Sequence, residues 1–402
     1  MNTQPRPRWL QQLGSLGIPT LLLLAFLLYF PKGGIKAFGI PLSWGTILLG
    51  VFAGIAACNL AYYKTLSQKH LIAFLYTLPF PLLAACSILA FGNGNLGFTI
   101  SLFYCFFLAP LAFILLFEPT LKRLPLETLF RFIDYGVLFV AAYGILLFFY
   151  KHYVGEFFTI PYLTVNAGDV GMLELKHIDR GTVFKLISTY NNGNVYGVSI
   201  LMLLPLFHTR NTWWKRWIVK TSLILTLSRT VWIGLLLHEL IRLLWGRISV
   251  SKLLKILGIT AAGLGAVAIL LPLMGKDISF LFDPNFGGRL NQILLLLEEG
   301  IYLFPHKQFS VIAEIVYVSI LDTFGVLGLL TFLAALIMPL WVALYHRDTT
   351  RPYPRYKKDI LLGLALYLIV SGSDSASLYI PVMLFYWFGV AVLLRDEKTA
   401  HG

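Results

Sequence analysis

Long runs of predominantly apolar residues, most near or above about 18 residues, recur along almost the whole chain, and no other feature limits its possible folds so severely. A helix rises about 1.5 Å per residue and a bilayer's hydrocarbon core is about 30 Å thick, so each such run reads as a membrane-crossing helix. Twelve are expected, at about 14–30, 41–61, 71–91, 97–117, 131–150, 184–207, 213–227, 230–246, 253–274, 311–344, 359–373 and 376–394. The first run is followed by many others, so it is expected to be a span and not a cleaved leader. The expected fold class is all-α, a polytopic integral membrane protein, with residues 1–402 as one transmembrane domain. Apolar residues make up 58% of the chain and charged residues 13%, with a mean hydropathy of +0.77. Those proportions exclude an ordinary soluble enzyme and a disordered tail.

The net charge of +13 would suggest nucleic acid in a soluble chain. Here its distribution points elsewhere. With the N-terminus inside, 22 of the 32 basic residues fall in cytoplasmic segments and 10 fall outside. The inner segments hold eight acidic residues and the outer ones eleven, so the two sides carry +14 and −1. This is the asymmetry of a membrane protein with both termini in the cytoplasm. It carries no indication of a nucleic-acid partner. Two long connections, 151–183 and 275–310, then lie outside. The second contains the apolar stretch Leu290–Leu297, too short to span and expected to lie at the interface. Cys58, Cys86 and Cys105 all sit in apolar runs, with neither a disulfide framework nor a metal spacing.

Charged and polar side chains at the edges of spans are costly and often functional. Arg229, in Leu227-Ser228-Arg229-Thr230, is expected at the outer tip of a helical hairpin. Its guanidinium suits phosphate oxygens, though an arginine there can also simply anchor to lipid headgroups. Arg289 follows Gly287-Gly288 in the second outer loop and has the same two possibilities, or an ion pair with Asp283 or Glu298. Tyr190-Asn191-Asn192-Gly193-Asn194 places three amides in an apolar run, where each needs a partner. They could bind sugar hydroxyls or pyrophosphate, or cap a broken helix. Arg180 lies just before them at the membrane edge. Glu314, Tyr317, Leu321, Gly325 and Gly328 fall on one helical face, with the small residues forming a seam for another helix. Glu314 could take a proton from a hydroxyl nucleophile, or cap a helix, or pair with an arginine. His306 is a second candidate base, with a solvated loop histidine as the plainer alternative. Asp374 is expected in the loop between the last two spans. No metal-ligand spacing, phosphate-binding glycine loop or nucleophile elbow is present, so no metal or cofactor is expected. The donor is expected to be membrane-borne.

The order of these features resembles the O-antigen ligase and O-antigen polymerase superfamily of bacterial membrane glycosyltransferases. The resemblance covers about residues 180–345 and runs from the Asn-rich patch through Ser228-Arg229 and the outer loop with Arg289 to the span ending Gly-Val-Leu-Gly. It implies a GT-C type helical fold in the bacterial inner membrane with a periplasmic active site. The implied donor is a glycan on undecaprenyl pyrophosphate, and no metal is needed. Arg229 and Arg289 would hold the pyrophosphate, with Arg180 and Asn192 as supporting contacts; Asn191, Asn194 and His306 are further candidate substrate-binding residues from the residue pattern itself. The remaining implied partners are membrane lipids, an acceptor glycan and a chain-length regulator. Ligases of this family carry a histidine and then an asparagine eleven residues before the glycine matching Gly325; here those positions are Glu314 and Ile315. Polymerases often have an acidic residue there and a tyrosine three residues on, which Glu314 and Tyr317 match. The expected activity is therefore polymerisation of lipid-linked repeat units, with transfer to lipid A core or protein as the alternative. A flippase or transporter is a further alternative, but its polar groups belong at the midplane and not at the outer edge.

Overall fold

The computed structural model describes residues 17–37, 40–63, 66–171, 173, 179–180, 183–244, 289–313, 315–346, 352–374 and 376–396, with isolated positions between 251 and 272. The expected span at 253–274, apart from those positions, and residues 275–288 lie outside the described residues.

The described chain is mostly helical. In order, its main elements are α1 (Gly17–Leu28), β1 (Gly34–Ala37), β2 (Ile40–Ser43), α2 (Trp44–Tyr63), α3 (Gln68–Leu75), α4 (Pro79–Phe91), α5 (Leu96–Phe103), α6 (Glu118–Arg123) and α7 (Leu126–Val154). There follow β3 (Asp179–Arg180), β4 (Val183–Phe184), α8 (Gly193–Arg210), α9 (Trp213–Ile224), α10 (Arg229–Leu244), α11 (Arg289–Glu299), α12 (Val316–Tyr345), α13 (Arg355–Val370) and α14 (Ile380–Leu394). Four helical stretches are long and apolar enough to cross a membrane: Gln68–Phe91, Leu96–Leu116, Leu126–Val154 and Val316–Tyr345. They turn apolar side chains outward; Leu89 is 88% exposed and Leu146 70%. An apolar belt of that kind belongs against lipid and not water.

The helix α14 is the axis of the bundle. All its side chains from Pro381 to Leu394 are buried, so its sequence is apolar all round instead of on one stripe. Its polar side chains donate to backbone carbonyls of neighbouring helices. Pro110 interrupts the stretch after α5, which widens into π-helical turns at Tyr104–Leu108 and Leu111–Leu116. Proline supplies no N–H, and the carbonyl of Cys105, five residues earlier, instead accepts from Trp387 Nε1 at 2.6 Å. Tyr386 likewise donates to the carbonyl of Leu336 at 2.7 Å.

The helices α8, α10 and α13 pack closely on one another. A Cβ on Gly363 would sit 1.9 Å from the Met202 carbonyl, so α13 and α8 approach backbone to backbone there. Gly197 takes Val231, and Gly234 takes Leu201 and Val370. These contacts make α8 and α10 parallel, with their N-termini side by side, and α13 antiparallel to both.

Polar contacts gather at two opposite ends. One holds the Lys69–Asp396 ion pair, Glu118 with Lys122 at 2.6 Å, and Arg210 with Glu127 and Asp134 at 3.1 and 3.0 Å. At the other, β1 and β2 form a hairpin on which the 151–183 connection folds back. There Asn166 Nδ2 donates to the Ile35 carbonyl at 2.7 Å and Trp44 Nε1 to Tyr162 at 2.8 Å.

Candidate functional site

The expected span at 184–207 is helical only from Gly193. Residues before it follow another path. Leu186 N–H donates to the Leu225 carbonyl at 2.9 Å, Ser188–Tyr190 form a 3-10 turn, and Ser188 and Asn191 have φ of 49° and 55°. The Asn-rich patch is what permits this break. Asn191 tolerates the left-handed conformation, and its amide donates to the Thr164 carbonyl at 3.0 Å. Asn192 caps α8, its Oδ1 accepting from the amides of Asn194 and Val195 at 2.9 and 3.3 Å. Both amides thus have structural partners. Only Asn194 reaches across the bundle, donating to Asp374 Oδ2 at 2.5 Å.

Arg229 opens α10 and is half-buried, flanked by buried Ser228 and Thr230. The expected turn between two helices is present, and it is packed: Leu227, Ser228 and Thr230 are buried. The helix α9 has 12 residues and is about 18 Å long, well short of a bilayer. The chain reverses at Leu227, with φ 51°, against the strand-like segment at Leu186.

Asp374 is the residue whose importance the sequence understated. It lies in the loop after α13, as expected, but is only 9% exposed. Its neighbour Ser373 shares a 2.9 Å hydrogen bond with Thr230. Gly372 faces the ring of Tyr317, in the first turn of α12. One loop therefore joins the beginnings of α8, α10 and α12. The first turn of a helix carries partial positive charge, and three such turns meet at this end of the bundle, where Asp374 already supplies a carboxylate. No motif could have revealed Asp374, since its partner Asn194 is 180 residues away.

Tyr317 does not present a free phenol to this loop. Its hydroxyl donates to the Leu368 carbonyl at 2.5 Å, tying α12 to α13. Glu314 lies outside the described residues. The single face expected from Glu314 to Gly328 is also corrected. The helix α12 is broken at Gly325, with φ 71° and ψ −174°. The Gly325 seam admits a loop and not another helix. Val326 and Leu327 donate their N–H groups to the carbonyls of Tyr302 and Leu303 at 2.9 and 3.0 Å. That inserted loop also carries His306, which stacks on Tyr302 at 3.9 Å. His306 Nδ1 is buried with no hydrogen-bond partner among the described residues. Arg289 opens α11 and Arg180 pairs with Val183 between β3 and β4. Their side chains lie outside what is described.

Two clusters have metal-ligand types that local spacing did not disclose: Glu299, His306 and Asp322, and His208, His238 and Glu239. In the first, the Lys307 ammonium already bridges Glu299 and Asp322 at 2.9 and 2.5 Å. Burial pushes the Lys307 pKa down, but hydrogen bonds to Asp322 and Glu299 outweigh it and raise it above its ordinary 10.5. The hydrogen bond from Lys307 lowers Glu299 below its ordinary 4.5. A lowered carboxylate contributes stability above its ordinary value and loses it as pH falls through the folded value; a raised lysine contributes below its ordinary value and loses it as pH rises through the folded one. The Lys307–Glu299 latch is therefore expected to hold between the two ranges and to weaken as pH falls below the ordinary carboxylate range. Hydrogen-exchange protection of residues 299–309, measured against the intrinsic rate of each amide at that pH, should fall there; protection unchanged in acid would remove the latch.

Comparison with models of known protein families found no match, and comparison with curated proteins found none. Fold and surface together define the class: a mostly helical protein with apolar helices suited to a bilayer.

Proposed function

We propose that the chain is a membrane glycosyltransferase that polymerises surface polysaccharide from undecaprenyl-pyrophosphate-linked repeat units. The observation that carries this is the meeting of the α8 and α10 N-termini around a buried polar cluster beside Arg229. A pyrophosphate leaving group gains negative charge as its bond to the sugar breaks. Helix N-termini and a guanidinium fork stabilise charge developing there.

In this reading an acceptor hydroxyl attacks the anomeric carbon of the donor sugar. The new glycosidic bond forms as the bond to pyrophosphate breaks, and Glu314 takes the hydroxyl proton. Arg229 and Arg289 hold the pyrophosphate, while Asp374 and Asn194 provide the wall beside Arg229. Tyr317 positions the start of α12 through its bond to α13. In this reading the site lies on the periplasmic side of a twelve-span, GT-C-like bundle with both termini in the cytoplasm. The exposed apolar helices are suited to lateral entry of a lipid-borne donor.

Replacing Arg289 with Ala should leave lipid-linked single repeat units and no polymer, as should deletion of the chain. Mass analysis of the lipid-linked glycans reads both. Polymer of normal length in the Arg289→Ala strain rejects the role of that residue. Long lipid-linked polymer in the deletion strain indicates the ligase, and flipping by the purified chain in proteoliposomes without glycosidic bond formation indicates a transporter.

A further inference from the structure

At the opposite end of the bundle the C-terminal turn of α8, the middle of α10 and the first turn of α13 enclose a cavity of about 480 Å³. That size is within the range of small-molecule sites. Its charged lining is mainly basic: Arg242 from α10, and Arg355 and Lys358 from α13. Arg355 and Lys358 are exposed and make no ion pair among the described residues. The two nearby carboxylates are already engaged. Glu239 is held by Lys220 at 2.8 Å and Arg242 at 2.7 Å, and Asp359 accepts from Thr209 at 2.6 Å.

Two histidines line the same cavity with ring centroids 5.5 Å apart, His208 and His238. His208 is 6% exposed. The Arg216 guanidinium lies 3.5 Å from its Nε2 and can only donate, which assigns the ring proton to Nδ1. That Nδ1 is buried with no partner among the described residues. It is a donor lacking an acceptor in the wall of a cavity rich in cations. Leaving such a group unmatched is costly, and an anionic oxygen would satisfy it.

His208, His238 and Glu239 also have the ligand types of a zinc site. A cation would have to displace both Lys220 and Arg242 from Glu239, and it would enter surroundings that repel it. We propose that this cavity binds a phosphate-bearing anion, its oxygens received by His208, Arg242, Arg355 and Lys358. Trp213, Trp214 and Trp217 are exposed on α9, the helix that carries Arg216. Such aromatic side chains settle at the membrane–water interface, within reach of both lipid headgroups and soluble phosphates.

The test uses the full chain purified in uncharged detergent. Inorganic phosphate is titrated by calorimetry, and the protein is separately placed in nanodiscs of phosphatidylcholine with or without phosphatidylglycerol, with retained lipid read by native mass spectrometry. Saturable binding of either probe is expected. The double substitution Arg355→Gln/Lys358→Gln should weaken it at least tenfold, and His208→Gln should weaken it as well. Phosphate binding without phosphatidylglycerol retention identifies a soluble ligand, and the reverse identifies a headgroup. Three results overturn the proposal: no saturable binding of either probe, equal weakening by the distant surface change Arg131→Gln, or stabilisation by zinc chloride in place of phosphate.

Discussion

Replacing Gly325 with Ala is expected to destabilise the protein by about 3–5 kcal/mol. At φ 71° and ψ −174° the residue occupies a region open essentially to glycine alone. A Cβ there would meet the carbonyl oxygens of Phe304 and Leu303 at 2.7 and 2.8 Å. Both belong to backbone, so neither can swing aside as a flexible side chain would. Retreat of the loop would break the hydrogen bonds from Val326 and Leu327, leaving their N–H groups without partners at the break in α12. The strain accounts for about 1–3 kcal/mol and each lost bond for about 1 more. Melting of the purified protein should fall clearly, with loss of the monodisperse peak in size-exclusion chromatography. Gly50→Ala is the control, since a Cβ there meets nothing within 4 Å. Equal melting of the Gly325 and Gly50 variants would show that the inserted loop does not depend on the break.

The second large effect concerns chemistry. If Arg229 receives the leaving pyrophosphate, Arg229→Ala should lower polymer formation by a factor of about 10² to 10³, the usual cost of removing one donor to developing charge. Melting of the purified variant should be read alongside activity, and the neighbouring Thr230–Ser373 bond remains in it. Arg229→Lys keeps the charge but loses the planar fork, so it should retain part of the activity. Polymer yield in cells and single-turnover rates in nanodiscs read these effects. Full activity of Arg229→Ala would end the assignment of this end of the bundle as the donor site.

Much of the site was written locally and much was not. The left-handed residue and cap needed to start α8 are visible in Asn191-Asn192, because a broken helix requires those side chains where they stand. The roles of Asn194 and Asp374 were hidden, since each looks like an ordinary loop or cap residue until α8 and α13 pack together. Tyr317 reads as a phenol above a glycine seam, yet its hydroxyl is spent on a backbone carbonyl 51 residues away. The seam itself was misjudged for the same reason. Helical periodicity assumes an unbroken helix, and it cannot register that the chain at 302–304 will supply carbonyls to an open turn at Gly325.

By itself, then, the sequence determined a helical chain with apolar outer faces, because run length and hydropathy are tested against lipid one segment at a time. Only the tertiary structure decided which polar groups meet: Asn194 with Asp374 at one end, and His208 with His238 at the other. Those pairings depend on how closely helices far apart in the chain approach. Residues such as Gly363 and Gly197 set that distance, through contacts that no local pattern contains.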